Sequence, residues 1–319
     1  MPLHLPPPQT GASAWTGDQL AADHSWVWQL ADMEIEQILR AARAPELLAR
    51  VDELRRELTQ GQGFQLIRGL PVDTLTPTEA GDVFFFFGSL LGSPRSQNAA
   101  GELLGHVRNV GADANDPNVR IYQTDRRQTF HTDSADVVGL MCLETAASGG
   151  ESLLVSVATI YNRMLETDAE LTALLFEPIA TDRRGEVPEG ERGYFTIPVL
   201  NWFDDRLTVM YQRQYIDSAQ RFEDAPPLTE PLVEALDLFD SIANDPAVYL
   251  PMTLEPGDMQ FVHNHSLLHD RTGYVDKPGS PRHLLRLWLS VPGDRELPDV
   301  FAERYGSVEV GNRGGIVVS

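Results

Sequence analysis

"TFHTDSADVV", residues 129–138, sets a histidine and an aspartate two positions apart, His131 and Asp133. In an extended strand, positions i and i+2 point to the same face. An imidazole and a carboxylate would then lie side by side, donor types that suit a divalent first-row metal. One more histidine would complete a two-histidine, one-carboxylate set that leaves coordination sites open. Alone, H-x-D is equally an ordinary polar spot on a strand or turn, so the meaning of the pair depends on the rest of the chain.

The distal half supplies further donors. "EPGDMQFVHNHSLLHDRTGY", residues 255–274, carries His263, His265 and His269 after a Pro256-Gly257 turn. If that strand ran unbroken, all three would share a face, so alternation does not choose among them. "SPRHLLRLWLS", residues 280–290, then places Arg282 and Arg286 in an otherwise apolar strand. They would share a face about 13 Å apart, with Trp288 on the same side. A buried guanidinium is costly without an anionic partner. The partner is either a ligand or one of the chain's own carboxylates.

Composition bounds the remainder. The chain has 319 residues, enough for one large domain or two small ones. With 42% apolar residues and 13 Phe, it can build a sizeable core. No apolar run reaches the roughly 18–20 residues that span a bilayer, so no membrane partner is expected. There are 25 Lys+Arg against 47 Asp+Glu, a formal net charge of −22. Such a surface repels phosphate backbones and argues against nucleic acid. A single cysteine, Cys142, excludes an internal disulfide and a multi-cysteine metal site. A cytoplasmic protein is expected, and a homo-oligomer is left open.

Along the chain, residues 1–13 read as a flexible, Pro-rich arm, and residues 14–319 as one domain. From Asp32, taken as a capping residue, two helices are expected, with the break near Pro45. "GFQLIRGL" reads as a strand. "TPTEAGDVFFFFGSLLG" reads as a buried helix capped by Thr76, Pro77 and Glu79 and stopped at Gly92. Beyond residue 104, short β-rich runs including "LTVMYQRQY" alternate irregularly with two helical patterns. This texture predicts a mainly β, α+β fold of sandwich or barrel type.

The order "FHTD", "SGGES", a late histidine and R-x3-R resembles the TauD/TfdA-like family of Fe(II)/2-oxoglutarate oxygenases. The likeness covers roughly residues 63–290. The second histidine falls 138 residues after the first, and the first arginine 13 residues after that. The resemblance implies a double-stranded β-helix, or jelly-roll, with flanking helices. It implies Fe(II) on His131, Asp133 and His269, with "LLHDRT" favouring His269 over His263 and His265. It further implies that Arg282 clamps the far carboxylate of 2-oxoglutarate, assisted by Arg286 and by Ser152. Such an enzyme consumes O2, releases succinate and CO2, and hydroxylates or desaturates a small molecule. The second arginine favours an anionic substrate such as an amino acid or other carboxylate. Retention of Asp133 argues against a halogenase, in which this carboxylate is lost. Tyr122, Arg213 and Tyr215 are further substrate candidates, on the reading that "VMYQRQYI" is a strand. The competing readings are a cupin-type jelly-roll metal protein without oxygenase activity, which needs no arginine clamp, and a scaffold in which the three ligands lie apart.

Overall fold

The computed structural model describes residues 5–113, 116 and 118–316. One strand, His283–Ser290, shows how the sequence divides the molecule. Its even and odd positions face opposite ways, as a strand requires. Leu285, Leu287 and Leu289 join one buried cluster, whereas Leu284 and Trp288 join another. The first cluster lies under helices and the second between two sheets.

The larger sheet runs, neighbour to neighbour, through Val27–Gln29, Phe64–Arg68, Met259–His263, Val137–Glu144, His283–Ser290 and Ser93–Arg95. Leu104–Val107 also pairs with His283–Ser290. All these pairings are antiparallel except the first. The smaller sheet is antiparallel, in the order Leu250–Met252, Ser152–Ser156, Leu267–Arg271, Gln128–His131. Leu66, Val138 and Val262 of the first sheet meet Leu154, Leu250 and Leu267 of the second in one buried cluster. Two facing, largely antiparallel sheets with helices on their outer faces form the expected jelly-roll.

Helices Asp32–Leu39, Pro45–Gln60 and Pro77–Leu91 cover the larger sheet. Ile38, Val51, Phe84 and Phe87 there pack with Met259 and Phe261. Thr76 caps the third helix as expected, its hydroxyl accepting from the Glu79 N–H while Glu79 accepts from the Thr76 N–H. The helix rests directly on the sheet because Gly88 has no Cβ, which would stand 2.5 Å from Leu287 Cδ1. Val157–Thr167, Ala169–Leu174 and Glu230–Ala243 cover the smaller sheet, packing Ile160, Met164 and Phe239 with Phe130, Val155 and Leu268.

Two local expectations are corrected. Ala31, not Asp32, occupies the cap of the first long helix, because Glu34 accepts the Ala31 N–H at 2.8 Å. "LTVMYQRQY" is not one strand. It ends at Val209, and Arg213–Ala219 is helical, with Arg213 and Asp217 paired one turn apart. The segment 1–13, read as a flexible arm, makes contacts with the domain at Pro6 and Gln9, residues 1–4 lying outside the described residues. Gln9 exchanges two hydrogen bonds with Asn162, and the Pro6 carbonyl accepts from Tyr161.

Phe261 is fully buried, with its ring 5.7 Å from Phe87 and 6.1 Å from Phe84. Phe261→Ala is expected to lower unfolding free energy by about 3–5 kcal/mol. Met33→Ala, at an exposed position, should change it by no more than about 0.5 kcal/mol. Urea titration of both variants checks the pair.

Candidate metal centre and adjoining cavity

His131 ends one strand of the smaller sheet, and His269 lies directly opposite it in the next strand. Their rings are 4.1 Å apart between centroids. Asp133 follows on the loop that leaves His131. Ligand-type atoms of His131, Asp133 and His269 all lie within 4.8 Å of one another, and all three side chains are buried. The structure therefore brings together the three residues singled out in the sequence.

The protonation states suit a metal. His131 Nδ1 lies 2.8 Å from the Thr129 carbonyl, which only accepts, so Nδ1 carries the proton. The Nε2 lone pair then points into the site, where the Gln128 amide donates to it at 2.8 Å. Burial pushes the His131 imidazolium form out of favour. Burial, with help from His131, holds His269 at about 3. Burial alone would raise the Asp133 carboxyl, but Arg286, His269, His131 and the Trp288 N–H outweigh it and hold it at about 2. Two neutral imidazoles and one carboxylate are the donor set that Fe(II) takes in a facial triad.

Asp133 is positioned from three sides. Trp288 Nε1 donates to its Oδ2 at 2.8 Å and Arg286 Nη1 at 3.4 Å. Its backbone N–H donates to Asn264 Oδ1 at 3.1 Å, and Asn264 Nδ2 donates to the Ala135 carbonyl at 3.0 Å. Asn264 lies in the turn between Met259–His263 and Leu267–Arg271. This turn also breaks the strand that would have put three histidines on one face. His263 pairs with Asp294 at 3.0 Å, and His265 with Asp136 at 2.9 Å. Arg313 bridges the two carboxylates, at 2.6 Å from Asp136 and 3.2 Å from Asp294. His263, His265 and Asp294 also lie close enough to chelate. The Arg313 cation among them occupies the electrostatic role a metal would take.

A cavity opens from His131, Asp133 and His269 toward Arg271 and Arg282, with Tyr122, Ser152 and Arg286 on its walls. Arg282 Nη1 and Arg271 Nε are buried without an acceptor. Both guanidiniums stack on Tyr274, at 5.1 and 4.7 Å. Burial and the neighbouring Arg282 pull Arg271 down to about 10. Two cations with unused donors form a cradle for a carboxylate. "SGGES" allows the approach: Gly150 has φ +79°, and a Cβ there would meet Arg282 Nε at 2.8 Å. The Ser152 hydroxyl donates to Gln260 at 3.0 Å.

A second lobe shares Tyr122, Gln128, Asp133 and Arg286, and adds Tyr215, Trp288, Arg120 and Arg304. Arg213 lines neither lobe. It turns outward to Asp217, Asp237 and Asp240, a consequence of the helix that replaced the expected strand. Arg271, Arg120 and Arg304 were missed in the sequence. Arg271 stood two residues beyond His269, on the same face by alternation. Arg120 lies in an irregular segment and Arg304 in a helix of four residues, too short for a periodic signal.

The sequence pattern of the "Taurine catabolism dioxygenase TauD, TfdA family" matches residues 35–288. The chain belongs to this family. FR-33289 synthase of Streptomyces rubellomurinus is 33% identical, over 92% of this chain and 94% of the relative. A uridine-5'-phosphate dioxygenase of Amycolatopsis is 29% identical over 54% of this chain and 64% of that protein. Among solved structures, asparagine oxygenase in complex with Fe(II), 2S,3S-3-hydroxyasparagine and succinate has a TM-score of 0.63 at 19% identity, covering 83% of this chain and 93% of that one. No helix among the described residues is long and apolar enough to cross a membrane.

The buried histidines also set a pH dependence. His269 is held at about 3 and His263 at about 4, both below the usual 6.5. The unfolded chain therefore binds more protons between those values and 6.5, so stability falls as pH falls. Metal-free protein should lose thermal stability from pH 7 to 5, with each site contributing up to about 1.4 kcal/mol per pH unit. A melting temperature that stays level across this window contradicts the assignment.

Proposed function

We propose that His131, Asp133 and His269 hold Fe(II), that Arg282 and Arg271 receive the far carboxylate of 2-oxoglutarate, and that the enzyme hydroxylates a small anionic substrate in the second lobe. The observation that carries this reading is one cavity with the two-histidine, one-carboxylate set at its centre and unsatisfied guanidinium donors at one end. A cupin-type protein without oxygenase activity has no use for those donors.

Bound Fe(II) and 2-oxoglutarate supply the oxidising power to place one atom of O2 in a substrate C–H bond and the other in succinate, with loss of CO2. The chain itself orients and protects. Thr129 fixes the His131 tautomer. Trp288, Arg286 and Asn264 fix Asp133. Arg282 and Arg271 set the direction of the cosubstrate by drawing its carboxylate away from the metal donors, and the apolar walls Val138, Leu140 and Leu284 limit water. Substrates named for relatives include asparagine and uridine 5'-phosphate. An anionic substrate for this chain rests on the guanidiniums of the second lobe.

Anaerobic addition of Fe(II) and 2-oxoglutarate should give the weak visible charge-transfer band of the chelate, and His131→Ala should lose it. Arg282→Leu should raise the KM for 2-oxoglutarate roughly tenfold to a hundredfold, the equivalent of about 1.5–3 kcal/mol for a lost charged hydrogen bond. An equal band in His131→Ala, or an unchanged KM in Arg282→Leu, contradicts the respective role.

A further inference from the structure

The second lobe is unusual in its charge. Arg120, Arg286 and Arg304 all line it, from three distant parts of the chain. Arg120 precedes the turn Ile121–Gln123, Arg286 lies in the sheet, and Arg304 belongs to the short C-terminal helix Ala302–Tyr305. Opposite charge is scarce. The carboxylate beside Arg286 is Asp133, the proposed iron ligand. Arg120 pairs with Glu186, from the loop that follows Arg183 and Arg184, and its Nη1 donates to the Gln97 carbonyl at 3.0 Å. Arg304 has no carboxylate partner among the described residues. Its Nε donates to the Ser134 hydroxyl at 2.8 Å, and its plane lies 5.4 Å above the Phe195 ring. The other carboxylate on the wall, Asp182, is engaged by Ser218 and Arg221.

Such an arrangement costs stability. Burial, and then Arg120 and Arg183, pull Arg304 down to about 9. A buried cation without a carboxylate partner, Arg304, held beside Arg120 at the wall of a site indicates that its counter-charge arrives with a ligand. A substrate carboxylate brings one charge and fits one guanidinium fork. A tetrahedral PO3 group brings up to two charges and three acceptor oxygens, enough for several forks at once. The 2-oxoglutarate carboxylate does not fill this role, since Arg271 and Arg282 attend to it in the other lobe.

We propose that the second lobe binds the terminal PO3 group of a phosphonate or phosphate-ester substrate. Arg304 and Arg120 are its main contacts, and Arg286 borders it on the metal side. The proposal rests on the reading of the chain as an oxygenase of anionic substrates, and narrows it. Glu186 stands where it competes with the ligand for Arg120.

The test uses anaerobic full-length protein loaded with Fe(II) and 2-oxoglutarate, titrated calorimetrically with propylphosphonate, propyl phosphate and butyrate. At least one of the two PO3 probes should bind about tenfold or more tighter than butyrate, and the tighter one names the source of the group. Arg304→Gln should remove most of that preference, and Arg304→Lys should restore part of it, which a merely structural role for Arg304 would not produce. Glu186→Gln should tighten PO3 binding by removing the competing carboxylate. Equal binding of butyrate, a preference untouched by Arg304→Gln, or no saturable binding of either PO3 probe at millimolar concentration overturns the proposal. The charge-transfer band is recorded in the same samples. Its presence without PO3 preference defeats this inference alone, whereas its absence defeats the oxygenase reading beneath it.

Discussion

The buried carboxylate of Asp136 is the fixed point on which the site depends. It accepts from His265 Nε2, Arg313 Nε, the Ser290 hydroxyl and the Val291 N–H. These donors come from the turn after Met259–His263, the C-terminal segment, and the end of the His283–Ser290 strand. Four donors around a fully buried anion leave little freedom, because breaking any of them strands charge in a low-dielectric interior. Asp136 stands three residues after Asp133. The loop that carries Asp133 is thus held at its far end by the same network that holds the turn bearing Asn264, and Asn264 holds Asp133 directly. The C-terminal segment joins in when the Gly315 N–H donates to the Ser134 carbonyl at 2.7 Å.

Strand alternation turns this fixed point into a functional interior. On His283–Ser290, the leucines that face the helices supply cohesion, while Arg286 and Trp288 face the opposite sheet and hold Asp133. On Leu267–Arg271 the same rule places His269 and Arg271 inward, with Leu268 in the core under the helices. Each strand carries stability on one face and chemistry on the other. A shift of one residue in register would exchange the two, so the hydrophobic pattern that folds the sheets also fixes the ligand geometry.

This coupling explains what was legible in the sequence. Periodic features were readable: the capped helix from Pro77, the inward pair Arg282 and Arg286, and the H-x-D strand. The preference for His269 came from the order of motifs, because alternation alone could not exclude His263 or His265, and the fold places His269 beside His131 and Asp133. The turn at residues 264–266 sets those two apart from His131 and Asp133, beside Asp294 and Asp136, and its cause is long-range. Asn264 and His265 leave strand geometry to meet Asp133, Ala135 and Asp136, some 130 residues earlier in the chain. Arg213 failed for a related reason. "VMYQRQY" carries β-prone residues, yet its end folds as a helix in which acidic partners from Glu230–Ala243 claim the guanidinium. Arg120 and Arg304 had no periodicity to reveal them, since their meeting is a property of the closed fold.

Arg286 shows why the two lobes behave as separate environments beside one metal centre. It lies on the walls of both, stacked against Tyr122 at 4.5 Å and Trp288 at 5.0 Å. Gln97 accepts from its Nε at 2.7 Å, so the guanidinium cannot swing toward either lobe without losing that bond. Its charge keeps Asp133 ionised, and with Trp288 it occupies Oδ2, while Oδ1 receives neither bond. Arg286 is thereby committed to Asp133 as well as to the cavity. In the proposed roles, anion recognition at the two ends falls to groups further out, Arg271 with Arg282 on one side and Arg304 with Arg120 on the other. That division would let one chain bind two anions on either side of a cation without either anion displacing the carboxylate proposed to hold it.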